Sequence, residues 1–423
     1  MLACVSRTVH NRTLSSRFPA LSHTAFRDYL FGAFFSNVGN SIQAWAIAWH
    51  VYSLTGSSLH VGLLGLVRVG PLLLLSLFGG VLADQADRRK VLLLSQSAMA
   101  LVALVLYALT SAGEITVGAL YVIVALNAVA RAFEQPARQA LVVSLVPKSD
   151  FPNAASLNGM AWRLSDVLGP ILAGTLIHSQ GGNPALCYGV NFLSFATMLF
   201  AVWRMPSKKP DVVKPESFRE VLTLIAEGLR FVNRTPVVRS AMWIDFWATL
   251  FSGADALLPA FAATILKVGP TEYGILAAST GIGAFIGAAI TAYLPTVKKQ
   301  GRIVVLMIGS YGLFTIAFGL STNLWVAAFS LAAVGASDMI STVFRQTIRQ
   351  LATPDELRGR MNATSSLFHI SGPQLGDFEA GAVAKFYGER VSIVVGGLLC
   401  LGVALIWSRS KALTTYEHDP PPS

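Results

Sequence analysis

Residues 59–109 read LHVGLLGLVRVGPLLLLSLFGGVLADQADRRKVLLLSQSAMALVALVLYAL: an apolar run from Leu59 to Ala83, a short polar gap from Asp84 to Lys90, and a second apolar run from Val91 to Leu109. Each run is close to the ~20 residues a helix needs to cross a bilayer. The same alternation extends in both directions. Twelve such stretches occupy roughly Tyr29–Tyr52, Leu59–Ala83, Val91–Leu109, Val117–Val143, Ala154–Ile177, Ala185–Trp203, Val238–Ile265, Gly274–Leu294, Ile303–Leu320, Leu324–Ile348, Met361–Phe386 and Val391–Trp407. With 53% hydrophobic and 13% charged residues, a soluble chain of this size would lack polar surface. The pattern therefore predicts an all-α membrane protein with twelve transmembrane helices.

Basic residues orient it, because cytoplasmic loops retain Lys and Arg. The tail before the first stretch, the even-numbered gaps with their edges and the chain end hold 25 of the 32 Lys and Arg, against Lys267, Lys385 and Arg390 in or beside the odd-numbered gaps. Both termini are expected in the cytoplasm, in a multi-pass protein of the bacterial cytoplasmic membrane. The remaining four basic residues, Arg68, Arg131, Arg138 and Arg163, fall inside the stretches. The formal charge of +10 follows from this topology and from contact with anionic lipid headgroups, without nucleic acid. Residues 1–25 lack an apolar signal core and read as a cytoplasmic tail. The three cysteines, Cys4, Cys187 and Cys400, offer no disulfide or metal framework.

The chain repeats itself. A shift of 207 superimposes Arg138-Gln139 on Arg345-Gln346, Pro147 on Pro354, Gly169 on Gly376 and Gly174 on Gly381. A shift of 212 pairs Arg27 with Arg239 and Gly62 with Gly274. Ordered matches at one spacing point to duplication. The expected organisation is a tail (1–25), a six-helix half (26–204), a linker with a short amphipathic helix (205–237), a second, parallel six-helix half (238–408) and a tail (409–423). Rocking secondary transporters share this plan, with substrate near the midplane between the halves.

Three segments carry a family resemblance. Gly80-Val-Leu-Ala-Asp84-Gln-Ala-Asp87-Arg88-Arg89-Lys90 resembles the loop signature G-x-x-x-D-x-x-G-R-[RK] of the major facilitator superfamily, with Asp87 at its second Gly. Ser165-Asp-Val-Leu-Gly169-Pro170-Ile-Leu-Ala173-Gly174 is similar to the antiporter signature G-x-x-x-G-P-x-x-G-G, with Ser and Ala at two Gly positions. Phe133-Glu134-Gln-Pro136-Ala-Arg138-Gln139-Ala140, with Leu357-Arg358-Gly359-Arg360 and Ser371-Gly372-Pro373-Gln374-Leu375-Gly376, looks like the branch that includes enterobactin (siderophore) exporters and macrolide-type efflux proteins. The resemblance implies the major facilitator fold, export by alternating access, and a monomer. It also implies a conformational-switch loop built from Gly80, Asp84, Arg88 and Arg89, with Asp84 pairing to a base such as Arg138. A flexible helix five would pivot at Gly169, Pro170 and Gly174.

Charges within the membrane cost several kcal/mol unless paired or facing a wet cavity. Proton antiport needs a buried carboxylate beside a cation. The candidates are Arg131 with Glu134 and Arg163 with Asp166, each at an i,i+3 spacing, together with Asp255 and Asp338. For each of them a salt bridge locking two helices is an equal possibility. Stretch one carries Asn37, Asn40, Gln43 and Trp45 in mid-membrane as substrate-cavity candidates; the 212 shift matches Gln43 to Asp255. The alternative for these amides is hydrogen bonding between helices.

Neither a nucleotide-binding G-x-x-x-x-G-K-[ST] loop nor an H-E-x-x-H is present, so neither enzyme activity nor a cofactor is expected. The reading is a secondary active exporter, a proton-coupled antiporter of a small amphipathic siderophore or drug-like molecule with a role in drug resistance. The alternatives are a lipid or lysolipid flippase and a non-transporting receptor or scaffold.

Overall fold

The computed structural model describes residues 18–85, 87–205, 218–294 and 297–416, the side chains of 76–85, 218–225 and 363 lying outside that description. Gly80 and the Asp84 carboxylate, both expected in the switch loop, thus lie outside it, as do the tail before Phe18 and residues 206–217 of the linker.

The first half is built from α1 (Thr24–Thr55), α2 (Ser58–Gln85), α3 (Arg88–Ala112), α4 (Val117–Leu145), α5 (Phe151–Ser179) and α6 (Ala185–Arg204). A helix α7 (Phe218–Arg234) leads to the second half. There α8 (Pro236–Leu250), α9 (Ala254–Ala260) and a π turn (Phe261–Leu266) follow one another, then α10 (Pro270–Tyr293), α11 (Gln300–Leu320), α12 (Leu324–Leu351), α13 (Arg358–Tyr387) and α14 (Glu389–Ser408). A short α15 (Lys411–Thr414) packs on α8. No strand occurs among the described residues.

Local chemistry sets the helix ends. Gly56 and Gly113 end α1 and α3 in the left-handed region, at φ 60° and 74°, where a Cβ would be strained. Asp87 caps α3: its carboxylate accepts the Arg89 backbone N–H at 3.0 Å. That accounts for an aspartate where the loop signature has a glycine. Thr116 and Asn323 cap α4 and α12 in the same way.

Among the described residues, nine helical segments are long and apolar enough to cross a membrane. Apolar side chains such as Leu94, Leu74 and Phe329 cover their outer faces, as lipid contact requires. The remaining long helices, α1, α5 and α13, are as long as the others but fall outside that set because they are more polar. Together they are consistent with twelve spans, and their polarity has a cause: these three line the interior between the halves.

One expectation needs correction. Stretch seven, read as continuous from Val238 to Ile265, is broken at Phe251–Gly253 between α8 and α9. At Gly253 the chain runs against the Gly376 carbonyl of α13 with no room for a Cβ, and Pro259 and a π turn follow.

The halves meet most closely along α2 with α13 and α5 with α10. A Cβ on Gly62 of α2 would lie 2.5 Å from the Asp377 carbonyl and 3.2 Å from the Gly381 Cα of α13. On Gly274 of α10 it would lie 2.5 Å from the Pro170 carbonyl and 3.1 Å from the Gly174 Cα of α5. Four of the six glycines that the two sequence shifts superimpose, Gly62, Gly174, Gly274 and Gly381, are therefore the two facing pairs of these seams. Both seams lie at the end of the bundle carrying the loops around residues 56, 182, 268 and 388, here called the far end; the start of α1 and the end of α14 mark the near end. Ser58 Oγ bonds Glu389 Oε1 at 2.8 Å and Tyr273 Oη donates to the Trp45 carbonyl at 3.0 Å, both across the far end.

Candidate functional site

Below the seams, between the halves, lie two adjoining cavity compartments of about 410 and 350 Å³, each large enough for a drug-sized ligand. They share Ala44 and, of larger side chains, Asn40, Arg68, Arg131, Trp162, Pro373 and Gln374. The inner compartment, against the far-end seams, adds three carboxylates: Asp166 of α5, Asp255 of α9 and Asp377 of α13. Toward the near end, the outer compartment adds Gln43, Asn127, Gln135 and His369 and has no carboxylate in its lining. His369 and Asp338, on that side, have side chains 57% and 47% exposed, so the interior is open there rather than packed.

Each half is braced by a buried arginine. Arg138 of α4 forms an ion pair with Glu134, one turn earlier, at 2.5 Å and donates to Asn37 Oδ1 of α1 at 2.6 Å. Gln96 of α3 completes the group by donating to Glu134 at 3.2 Å. Its repeat partner Arg345 of α12, 1% exposed, reaches Asp245 of α8 at 2.8 Å and Asp338 at 3.4 Å. Arg349 and His369 converge on the same Asp245 carboxylate at 3.6 and 3.7 Å. A buried charge of this kind is tolerated only when its partners are in place.

The sequence candidates divide between the compartments and these braces. Asp166, Asp255 and Arg131 line the inner compartment. Glu134 lines neither and pairs with Arg138 rather than with Arg131, because the i+4 side chain lies nearer on the buried face. Asp338 pairs with Arg345, and Arg163 lies 3.8 Å from Asp166 and donates to the Met339 sulfur at 3.3 Å. Asn37, Asn40 and Trp45 line the inner compartment and Gln43 the outer. Gln43 is held, however, by Asn191 Nδ2 at 2.8 Å, and the matched pair Gln43 and Asp255 falls in different compartments.

Gly169 of α5 lets Ser41 of α1 approach, while Pro170 and Gly174 form the α10 seam. Arg88 and Arg89 bond the Ala140 and Trp203 carbonyls at 3.1 and 2.6 Å.

Arg68, Asp377, Trp162, Asn127 and Gln374 were not among the sequence candidates for the cavity. Arg68 carried the clearest signal, a single charge in the middle of an otherwise apolar run.

Comparison with known proteins agrees with this geometry. The family model described as transmembrane secretion effector matches residues 15–423. The enterobactin exporter EntS of Salmonella typhi is 26% identical over 411 residues, covering 95% of this chain and 96% of its own. EntS of Escherichia coli O81 (strain ED1a) is 26% identical over 405 residues, covering 95% of each. Among solved structures, the nucleoside transporter NupG superimposes with a TM-score of 0.69 at 11% identity, covering 91% of this chain and 98% of its own. A bacterial homologue of the human lysosomal transporter Spinster, inward-facing and unoccupied, gives 0.72 at 13% identity, covering 95% and 99%. A chain of this length, helix order and central cavity, matched by one family model nearly end to end, belongs to the transmembrane secretion effector family of major facilitator transporters.

Proposed function

We propose that this transporter exports a small amphipathic molecule of siderophore or drug-like size from the cytoplasm of a bacterium, in exchange for protons. The carrying observation is the cavity itself. It is sealed at the far end by the two glycine seams, exposed on the near-end side, and lined by charged residues from both halves. With the termini in the cytoplasm, as the distribution of Lys and Arg supports, this is a state that takes up substrate from inside the cell. The export of enterobactin by its relatives supports the direction and the size of the cargo.

Asp166, Asp255 and Asp377 share the inner compartment with Arg68 and Arg131, which brings proton-accepting groups and fixed cations into one chamber. Alternating access would bare the carboxylates to one side and then the other, so that proton entry is tied to substrate exit. The switch loop of Gly80, Asp84, Arg88 and Arg89 would hold the near end closed in the opposite state. We expect a monomer in contact with membrane lipids, with no nucleic-acid partner.

The test is movement across proteoliposomes under an imposed pH gradient, with labelled siderophore, macrolide and lysolipid offered in parallel. Gradient-dependent movement of a soluble amphiphile, slowed at least tenfold in Asp255→Asn, supports the reading. Movement that persists when the gradient is collapsed sinks the coupling, and movement of lysolipid alone replaces export with lipid flipping.

A further inference from the structure

Arg68 of α2 and Arg131 of α4 both line both compartments, and among the described residues neither has a hydrogen-bond or ion-pair partner. The contrast with Arg138 and Arg345, each tied to carboxylates, is complete. A guanidinium at mid-membrane depth is expensive unless it is paired or faces a wet cavity. The two are within electrostatic reach of each other, which adds repulsion to the cost of burying them. The carboxylates of the inner compartment attract them, Asp377 acting on Arg68 and Asp166 on Arg131, but among the described residues none forms an ion pair within 4 Å of either arginine.

The surroundings have a polarity. The outer compartment holds both arginines, His369 and the amides of Asn40, Gln43, Asn127, Gln135 and Gln374, with no acid. Asn127 Nδ2 is a donor without an acceptor. Gln374 Oε1 is also unpaired, and its amide can present a donor instead by turning over. Trp162, 40% exposed, supplies a flat apolar wall. Donors and fixed positive charge facing an aromatic wall are the complement of an oxyanion carried on an apolar body. Guanidinium forks bind such oxygens in pairs.

We infer that Arg68 and Arg131 form an anion subsite in the outer compartment, and that the exported molecule carries a carboxylate or phenolate oxygen beside an aromatic or apolar body. This rests on the export reading and narrows it to anionic amphiphiles, against the cationic drugs that the inner carboxylates alone would have favoured.

The test uses one body with three charges: 1-naphthoate, neutral 1-naphthamide and 1-naphthyltrimethylammonium. Binding to the full chain in phosphatidylcholine nanodiscs is measured by equilibrium dialysis. Naphthoate is expected to bind at least tenfold more tightly than the other two. Arg68→Gln and Arg131→Gln should each weaken naphthoate at least tenfold and leave naphthamide unchanged, with partial recovery in Arg131→Lys. Should a glutamine variant fail to fold, Asn127→Asp adds a carboxylate to the outer compartment and is expected to weaken naphthoate while both arginines stay in place.

Tightest binding of the ammonium compound, or naphthoate binding indifferent to both arginines, overturns the subsite. So does displacement of naphthoate by phosphatidylglycerol, which would make the occupant a lipid headgroup. If naphthoate binds through the arginines but nothing crosses proteoliposomes, the export reading falls and the subsite stands. If a neutral or cationic compound is exported unchanged by Arg68→Gln and Arg131→Gln, export stands and the subsite falls.

Discussion

Replacing Gly62 or Gly274 with alanine should push the transporter out of the state described here. In that state the added Cβ would lie 2.5 Å from a backbone carbonyl of the opposite half, at Asp377 or Pro170. Real Cβ atoms essentially never approach closer than 3.0 Å, so the helices must part by about 0.5 Å at the seam, and the obstructing atom is backbone that cannot rotate away. Overpacking of this kind costs about 1–3 kcal/mol. In the opposite state the far ends separate and the methyl group has room, so the cost falls on one state only. A difference of about 2 kcal/mol shifts the equilibrium roughly 30-fold, enough to raise a state populated at about 1% to roughly a quarter. Spin labels at Gln180→Cys and Arg390→Cys, exposed far-end positions in different halves, would report the change by double electron–electron resonance as a second, longer distance. Because the seams are related by the duplication, the two variants should behave alike. An unchanged distance distribution in both would refute the argument that backbone contact holds the far end shut.

Three further outcomes follow from the buried and near-end contacts. Asp245→Asn removes the carboxylate on which Arg345, Arg349 and His369 converge and should cost about 3 kcal/mol of stability, measured by steric trapping; a loss under about 1 kcal/mol would mean Asp338 suffices for Arg345. Gln43→Leu leaves the buried Asn191 Nδ2 without its acceptor and should destabilise by about 1 kcal/mol on the same measurement. At the start of α5, His23 Nε2 lies 2.9 Å from Asp150 and its hydrogen bond holds that carboxyl below its ordinary 3.8. A carboxyl lowered in this way stabilises above its ordinary value, and the contribution is lost as pH falls through the lowered one. A spin label at Thr24→Cys should therefore keep its mobility from about pH 7 to 5 and loosen only below about pH 4; loosening by about pH 5 would exclude Asp150 as the cause.

The order of spanning helices was legible because it rests on a strong, local signal, apolar length. The repeat was legible because the glycines that must touch across the seams tolerate no other side chain there, so Gly62, Gly174, Gly274 and Gly381 remain in register. The cavity was legible only in part. Sequence places Asn40 and Arg131 at the right depth, but which face of α2 or α4 meets the interior depends on helix rotation, which packing decides. Asn37 illustrates the limit: its amide lines the inner compartment and is at the same time the bonded partner of Arg138. Glu134 and Asp338 have the depth of coupling groups and form ion pairs with Arg138 and Arg345, contacts that the sequence spacing does not single out. The break in stretch seven had visible cues in Ser252-Gly253 and Pro259, although the carbonyl of Gly376 that demands a glycine comes from over a hundred residues away.

The glycine seams also have an electrical consequence. Under the export reading, water filling the near-end vestibule would carry the potential of that side as far as the inner compartment, so the membrane voltage would fall across the thin barrier where Gly62 meets Gly381 and Gly174 meets Gly274. One elementary charge crossing that barrier exchanges about 2.3 kcal/mol per 100 mV with the field. Asp255 and Asp377 line the compartment next to that barrier, so under the exchange proposed above a small rocking of the halves would carry any charge on them, or on anything bound beside them, through most of the membrane voltage.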